Sequence, residues 1–414
     1  MIFIGDSGKN PVLYIQPDWH SALSLDDGRA WISCKYKDEP GIYGMIERER
    51  NEDDGVSSLK ISDDFIIEQS GGSFICIKHK NSSLTTYFLK PTKCWSNLHE
   101  KSVGSLSVTP SGLAVSTSLD DSLILWNADQ SIVKLRLTGH VGEVNRCRFF
   151  PSGQVVLTAG SDVRLKIWCA KTGQCPVTLV GHTRPVTDVA FVDRGKNILS
   201  CGRDGVLKLW NCGDASCIYN IIKLPSAINA CKLAPASSKL NLGEPKHKIS
   251  DKEVNTENKI VLLGCEDGTV HCVALKSHKK LFTINVNSAV NCLCFINNEY
   301  FIFGCQDGTI FLYSIFGPSK EIYSWKQSNS TVLSLLDYKN IGFFASRADG
   351  TVEFCFTPGN SLVKISLTGS DCDPVYDLAT DGEDIYTCCR DSKIRRYRVK
   401  ELIKDLSKLH LFSG

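Results

Sequence analysis

The stretch VNRCRFFPSGQVVLTAGSDVRLKIW (144–168) decides the fold. Two runs rich in Val, Leu and Phe flank the turn Pro151-Ser152-Gly153, and a third run, RLKIW (164–168), follows the turn at Asp162. Short β-branched and aromatic runs punctuated by Pro, Gly, Ser and Asp read as successive antiparallel strands. CPVTLVGH (175–182) then leads into DVAFVDRGKNILSCGRDGVLKLW (188–210), which repeats the phrase. Working outward, the turn aspartates Asp120, Asp162, Asp204, Asp267, Asp307, Asp349 and Asp391 follow one another at intervals of 42, 42, 63, 40, 42 and 42 residues. Six residues beyond each stands Trp126, Trp168, Trp210, Val273, Tyr313, Cys355 or Tyr397.

A period near 42 with this internal phrase resembles the WD40 repeat, one blade of a β-propeller per period. The expected fold class is all-β: a seven-bladed WD40 β-propeller over 91–400, preceded by a small β-rich N-terminal domain over 1–90 and followed by a tail, 401–414. The 63-residue interval holds a polar, lysine- and glutamate-rich insertion, 236–258, between the first two strands of blade four. Its composition predicts a flexible loop. PTKCWSNLH (91–99) stands where a blade's outermost strand belongs, and KIRRYRV (393–399) lacks an outer partner. Pairing 91–98 with 393–399 would close the ring, which protects its sheet edges. Within 1–90, RAWISCKY (29–36) with IYGMIERE (42–49), and DFIIEQ (64–69) with FICIKH (74–79), read as hairpins. A short helix should open at Pro17, and Trp19 and Trp31 should anchor this domain on the propeller. Leu402, Leu406 and Leu409 are spaced for one helical face of the tail.

Composition excludes several function classes. The chain has 414 residues, 42% of them hydrophobic and 22% charged, as in ordinary globular proteins. With 47 basic against 45 acidic side chains the net charge is +2, which offers no electrostatic case for nucleic acid or for an anionic membrane. No stretch approaches a membrane span of about 20 apolar residues, and the apolar start is too short for a signal peptide. Nineteen cysteines, an odd number scattered over many strands, suggest reduced thiols packed as small hydrophobes in a cytoplasmic, and also nuclear, protein.

Three blades carry a histidine, a hydroxyl and a carboxylate at fixed offsets before a tryptophan: His99, Ser116, Asp120, Trp126; His140, Thr158, Asp162, Trp168; and His182, Ser200, Asp204, Trp210. A Ser–His–Asp catalytic triad is one reading. Threefold repetition in register, once with Thr in place of Ser, points instead to a structural relay. Leu263, Phe303 and Ala345 replace the hydroxyl in blades four to six. The closest cysteine pairs have the wrong spacing for zinc, and no phosphate-binding loop is present. No catalytic residue, metal or cofactor is therefore expected.

The residues just before the turn aspartates should stand on one rim of the ring, and with the loops entering the inner strands they form the candidate contact set. It comprises Glu143, Arg203, Glu266, Gln306, Asp371, Asp373, Tyr376 and Arg390. The acidic pair Asp371 and Asp373 suits a protein partner bearing basic side chains.

Beyond the repeat, DWHSALSLDDGRAWISCKY (18–36), VNRCRFFPSGQVVLTAGSD (144–162), FVDRGKNILSCGRDG (191–205), TGSDCDPVYDLAT (368–380) and IYTCCRD (385–391) resemble the proteasomal ATPase-associated factors. The resemblance runs from about residue 15 to 400 and includes the segment before the propeller. It implies a non-enzymatic chaperone of 26S proteasome assembly, a monomer on its own. Such a factor binds ATPase subunits of the 19S regulatory-particle base at their C-terminal domains and restrains their docking on the 20S core. The alternative is a WD40 scaffold or substrate receptor in another complex, a ubiquitin ligase or a ribonucleoprotein. Against the ligase, no blade ends in a Trp-Asp-x-Arg box: Trp126-Asn127-Ala128-Asp129, Trp168-Cys169-Ala170-Lys171 and Trp210-Asn211-Cys212-Gly213 stand there.

Overall fold

The computed structural model describes residues 11–36, 39–50, 57–82, 84–246, 248–317, 321–356 and 363–411. The deciding phrase is present as Val144–Phe149, Val155–Gly160, Arg164–Cys169 and Val177–Val180, four antiparallel strands paired in sequence order. Gly153 takes a φ of +69° in the hairpin turn, a conformation glycine adopts without a Cβ clash. The second strand is buried on both faces: Val156 packs toward the preceding sheet, while Leu157 and Ala159 pack toward the following one. Small and β-branched side chains suit such a strand, flanked by sheets on both sides.

Seven sheets of this kind occur among the described residues. Their innermost strands are, in order, Val103–Val108, Val144–Phe149, Val186–Val192, Ile228–Pro235, Val290–Phe295, Val332–Tyr338 and Val375–Thr380. Each touches the next, and the last returns to the first, so the sheets form the closed circuit of a β-propeller.

Two of these sheets are completed from the chain's other end. Lys93–Trp95 pairs antiparallel with Ile394–Arg398 in the seventh sheet, as the seam predicted from sequence requires. The sixth sheet holds a surprise. Its outer strand Val363–Leu367 pairs in parallel with Thr85–Leu89, which continues into Phe74–His79 and Phe65–Ser70, making seven strands in all. The second N-terminal hairpin is thus built into the propeller, although sequence grouped it with residues 1–90. A separate four-stranded sheet, Val12–Ile15, Arg29–Lys35, Ile42–Arg50 and Ser57–Ile61, packs on these added strands through Leu13, Ile32, Ile46, Phe65, Ile75 and Phe88.

Of the two expected anchors only Trp19 serves. It stands on the short helix Trp19–Ala22, is 5% exposed, and donates its indole N–H to Thr368 at 3.1 Å. Trp31 is 41% exposed on the sheet's outward face, because Ala30 and Ile32 on either side of it take the core positions of that strand.

The insertion 236–258 has no helix or strand among its described residues and many of them are exposed, yet it is pinned to the ring at several points. The fully buried Asn197 donates to the Lys252 carbonyl at 3.1 Å and accepts from the Val254 amide at 2.6 Å. Tyr219 donates to the Lys248 carbonyl at 2.8 Å, and Leu240 and Leu242 pack on the adjoining core. Composition missed this because the anchors lie outside the insertion. At the other end Lys400–Leu411 is a helix whose Ile403 and Leu406 are buried beside Val399.

Polar groups on the inner strands form a belt around the axis. Asp377 of the seventh sheet accepts from Arg148 of the second at 2.8 and 3.2 Å and from Ser105 of the first at 2.9 Å. It also accepts from the Leu106 amide at 3.1 Å and from Ser334 of the sixth sheet at 3.3 Å. Asp188 of the third sheet faces Arg146 at 3.5 Å and Lys232 of the fourth at 3.2 Å. Buried charges persist where they are paired and hydrogen-bonded in this way.

Candidate partner-binding rim

Each turn aspartate accepts a bond from the backbone N–H two residues on: Ser122, Arg164, Val206, Thr269, Thr309, Thr351 and Lys393, at 2.8–3.2 Å. The residue between has positive φ in every case, including the non-glycines Asp121, Val163 and Ser392. An aspartate side chain that caps its own turn explains why all seven sheets keep it, even where the histidine is gone.

In the second and third sheets the relay is complete. His140 Nδ1 lies 2.9 Å from Asp162 and Nε2 lies 2.7 Å from Thr158, which accepts the Trp168 indole N–H at 2.8 Å. His182, Asp204, Ser200 and Trp210 repeat this at 2.8, 2.7 and 2.8 Å. Burial lowers the pKa of both histidines against the opposing pull of their aspartates, so the rings are neutral near pH 7. Nδ1–H then donates to the carboxylate, and the hydroxyl donates to Nε2 while accepting from the indole. Every polar atom is satisfied. The first sheet differs: His99 Nδ1 meets Ser122 at 2.5 Å and stands 4.0 Å from Asp120, while Nε2 keeps Ser116 at 2.7 Å and Trp126 donates to Ser116 at 3.1 Å. The sequence tetrad had no place for Ser122. Ser116, Thr158 and Ser200 are fully buried with their hydrogens engaged, so no substrate reaches them and a hydrolytic reading fails on access.

Replacing Asp162 by alanine strands His140 and two backbone amides, those of Val141 and Arg164. We expect a loss of about 1–3 kcal/mol, read as a lower urea midpoint at unchanged slope. An unaltered midpoint would deny the relay a structural role.

The rim itself is marked by a recurrent bond. Leu119, Ser161, Arg203, Glu266, Gln306, Ala348 and Arg390 each donate their amide to the carbonyl of the residue leading into the inner strand: Ser102, Glu143, Pro185, Ala227, Ala289, Thr331 and Pro374. The seven pairs are equivalent and lie at one end of the ring. Glu143, Arg203, Gln306 and Asp371 are exposed there. Glu266 is exposed as well and accepts from Asn229 at 2.7 Å. Asp373 and Arg390 come together at 2.7 Å, so that carboxylate is neutralised within the rim. Tyr376 is half-buried, packed toward the first sheet. The acidic pair therefore reduces to Asp371 alone. Sequence reasoning also passed over Val141, 76% exposed beside Glu143; an apolar residue in the loop between Gly139 and Gly142 was its signal.

Next to Asp371 the rim meets a cavity of about 900 Å³, walled by the N-terminal sheet on one side and by the sixth sheet and the loop 369–372 on the other. Among the described residues no group of His, Cys, Asp and Glu could hold a metal ion, and no helix is long and apolar enough to cross a membrane. All nineteen cysteines are free.

Comparison with known proteins now bears on this geometry. The family model "WD domain, G-beta repeat" matches residues 131–169, 173–211 and 276–314. The chain is 43% identical over 392 residues to the Gallus gallus protein named proteasomal ATPase-associated factor 1, covering 94% of this chain and 99% of that one. The Homo sapiens protein of the same name is 42% identical with the same coverage, and a Dictyostelium discoideum protein named as a probable member is 32% identical over 94% of the chain. The chain belongs to the proteasomal ATPase-associated factor 1 family. Coverage of 94% extends beyond the matched repeats into the residues before the propeller.

Proposed function

We propose that this protein is a non-enzymatic chaperone of proteasome assembly, which binds ATPase subunits of the 19S base at their C-terminal domains and restrains their docking on the 20S core. The observation that carries the reading is 43% identity across 94% of the chain to a factor named for its association with proteasomal ATPases. The rim supplies a physical means. Glu143 and Asp371 are exposed carboxylates on a rigid ring, and acidic groups so placed steer and orient a basic partner. Nineteen free thiols suit action in the reducing cytoplasm, with access to the nucleus.

The test is capture of purified C-terminal domains of proteasomal ATPase subunits by the full chain. Wild type should retain at least one of them, and Glu143→Lys combined with Asp371→Lys should weaken retention about tenfold or more at physiological salt. Retention unchanged by both reversals would move the contact off the rim, and failure to retain any of the domains would end the reading.

A further inference from the structure

The N-terminal sheet carries an apolar patch on its outward face, opposite its apolar core face. Its inner face carries Leu13, Ile15, Ala30, Ile32, Cys34 and Ile46, all in the core. On an ordinary half-buried antiparallel sheet the alternate positions would be polar. In the patch they are Tyr14, Ser33 and Tyr43 in one cross-strand row and Trp31 opposite Met45 in the next, and the row beyond is charged, with Arg29 opposite Glu47 and Glu47 opposite Lys60. Tyr43 is 72% exposed, Trp31 41% and Met45 38%. These side chains line one wall of the 900 Å³ cavity, and aromatic and methionine side chains gathered on an exposed wall mark interaction sites.

The opposite wall is acidic. Asp349 and Glu353 of the sixth sheet both line it, and Asp371 stands at its lip. Glu353 is held by the Gln327 amide and Asp349 by Ser328 and Thr351, none of them a cation, and Asp371 is exposed. Burial first, and then the two lining carboxylates, raise the Tyr14 pKa. The cations nearby are Lys35, stacked on the Tyr14 ring, and Arg347, which is buried and donates to the Gly308 carbonyl. A third feature completes the site: Val12–Ile15, on the cavity wall, is an edge strand that pairs, among the described residues, only with Arg29–Lys35. Such an edge can accept another extended strand, whose alternate side chains then enter flanking pockets.

We propose that this groove takes an extended segment of the bound partner, with apolar side chains against Trp31, Tyr43 and Met45 and an adjacent lysine or arginine against Glu353 and Asp349. The assignment deepens the functional reading above, since it names the chemistry that the partner must present beside the rim. It also explains why the N-terminal sheet is fastened to the sixth sheet by the three added strands and by Trp19: a groove wall has to hold its position against the rim.

The probe is a fluorescein-labelled hexapeptide alternating phenylalanine or leucine with arginine or lysine, alongside a counterpart with glutamate at the basic positions. Anisotropy titration of the full chain should give a dissociation constant of about millimolar or tighter for the basic peptide, and binding at least about tenfold weaker for the acidic one. Trp31→Ala with Tyr43→Ala should weaken the basic peptide about tenfold, since exposed aromatic anchors dominate such contacts and their loss does not disturb the fold. Glu353→Gln should shrink the discrimination between peptides, and Glu299→Lys, exposed in a turn of the fifth sheet, should change the binding of neither peptide. No binding at about 1 mM, equal binding of the two peptides, or indifference to the aromatic changes overturns the groove. So does tighter binding after removal of residues 1–10, which would give the groove to the chain's own leading segment. Capture of the ATPase domains is run in parallel. A chain that binds the basic peptide yet captures no ATPase domain retains the groove and refutes the functional reading. Capture that survives the aromatic changes, with no peptide bound, does the reverse.

Discussion

Asp377→Ala should destabilise the protein by about 3–5 kcal/mol, because it removes one partner of a buried pair and leaves Arg148 uncompensated. The carboxylate accepts from the second, first and sixth sheets while standing on the seventh, so its loss is felt across the whole ring. Denaturant midpoints of Asp377→Ala, Arg148→Met and the double variant form the test. The double variant should be less destabilised than the two single losses together, because it leaves no lone charge. Additive losses would mean that the pair does not couple the sheets. A pH profile gives a second reading. Burial pushes the Asp377 carboxyl up, but Arg148 and Arg146 outweigh it and hold it at about 2. A depressed aspartate contributes stability that is complete above its ordinary value, about 4, and is lost as pH falls through the folded value. The buried histidines act in the same sense. Burial lowers His99 to about 4, so unfolded chains take up that proton first as pH drops below about 6.5. Stability should therefore decline from pH 6.5 and go on falling between 4 and 2, and Asp377→Asn should make the fall below pH 4 shallower without abolishing it, since the Asp120 carboxyl is also held at about 2.

Trp95→Ala should cost about 3–5 kcal/mol as well, and at a single place, the seam. Trp95 is 5% exposed, meets the Trp126 ring edge-on at 4.8 Å, stacks on Tyr386 at 6.2 Å, and donates to Ser131 at 2.9 Å. It is the large apolar side chain of a three-residue strand, whose other fastenings at the seventh sheet's outer edge are the polar bonds of Thr92 to the Arg396 carbonyl and of Lys93 to the Ala128 and Asp129 carbonyls. Hydrogen exchange on the variant should rise first in Ile394–Arg398 and in residues 92–98, with the third and fourth sheets still protected. Uniform loss of protection would mean that the ring opens as one unit rather than at its junction.

What the sequence disclosed was local. The turn aspartates, the Pro-Ser-Gly and Asp-Gly turns and the tryptophan six residues on are all decided within a dozen residues, and each stands where its spacing put it. The seam between 91–98 and 393–399 was legible by subtraction, since one blade lacked a strand and another segment had one to spare. Contacts made through space were not. Parallel pairing of Thr85–Leu89 with Val363–Leu367 needs no hairpin turn and so leaves no punctuation. Arg148 and Asp377 lie far apart in the chain, and inner-strand charges look like solvated ones until the ring is closed. Trp31 was misassigned for a similar reason: alternation tells which residues share a face, but not which face the core takes. At the rim, the equivalence of Arg203, Glu266, Gln306 and Arg390 could be read from their offsets. That Asp373 spends its charge on Arg390 could not.

The order in which the strands are made carries one further consequence. Strands 65–70, 74–79, 85–89 and 93–95 leave the ribosome long before 363–367 and 394–398 exist to receive them. Their long-range pairings raise the contact order and slow closure. During synthesis these strands must wait with bare backbone edges while five complete sheets form behind them, and the circle can shut only once residues 394–398 have been made. The protein would thus depend on protection by general chaperones during translation, most of all at residues 65–95.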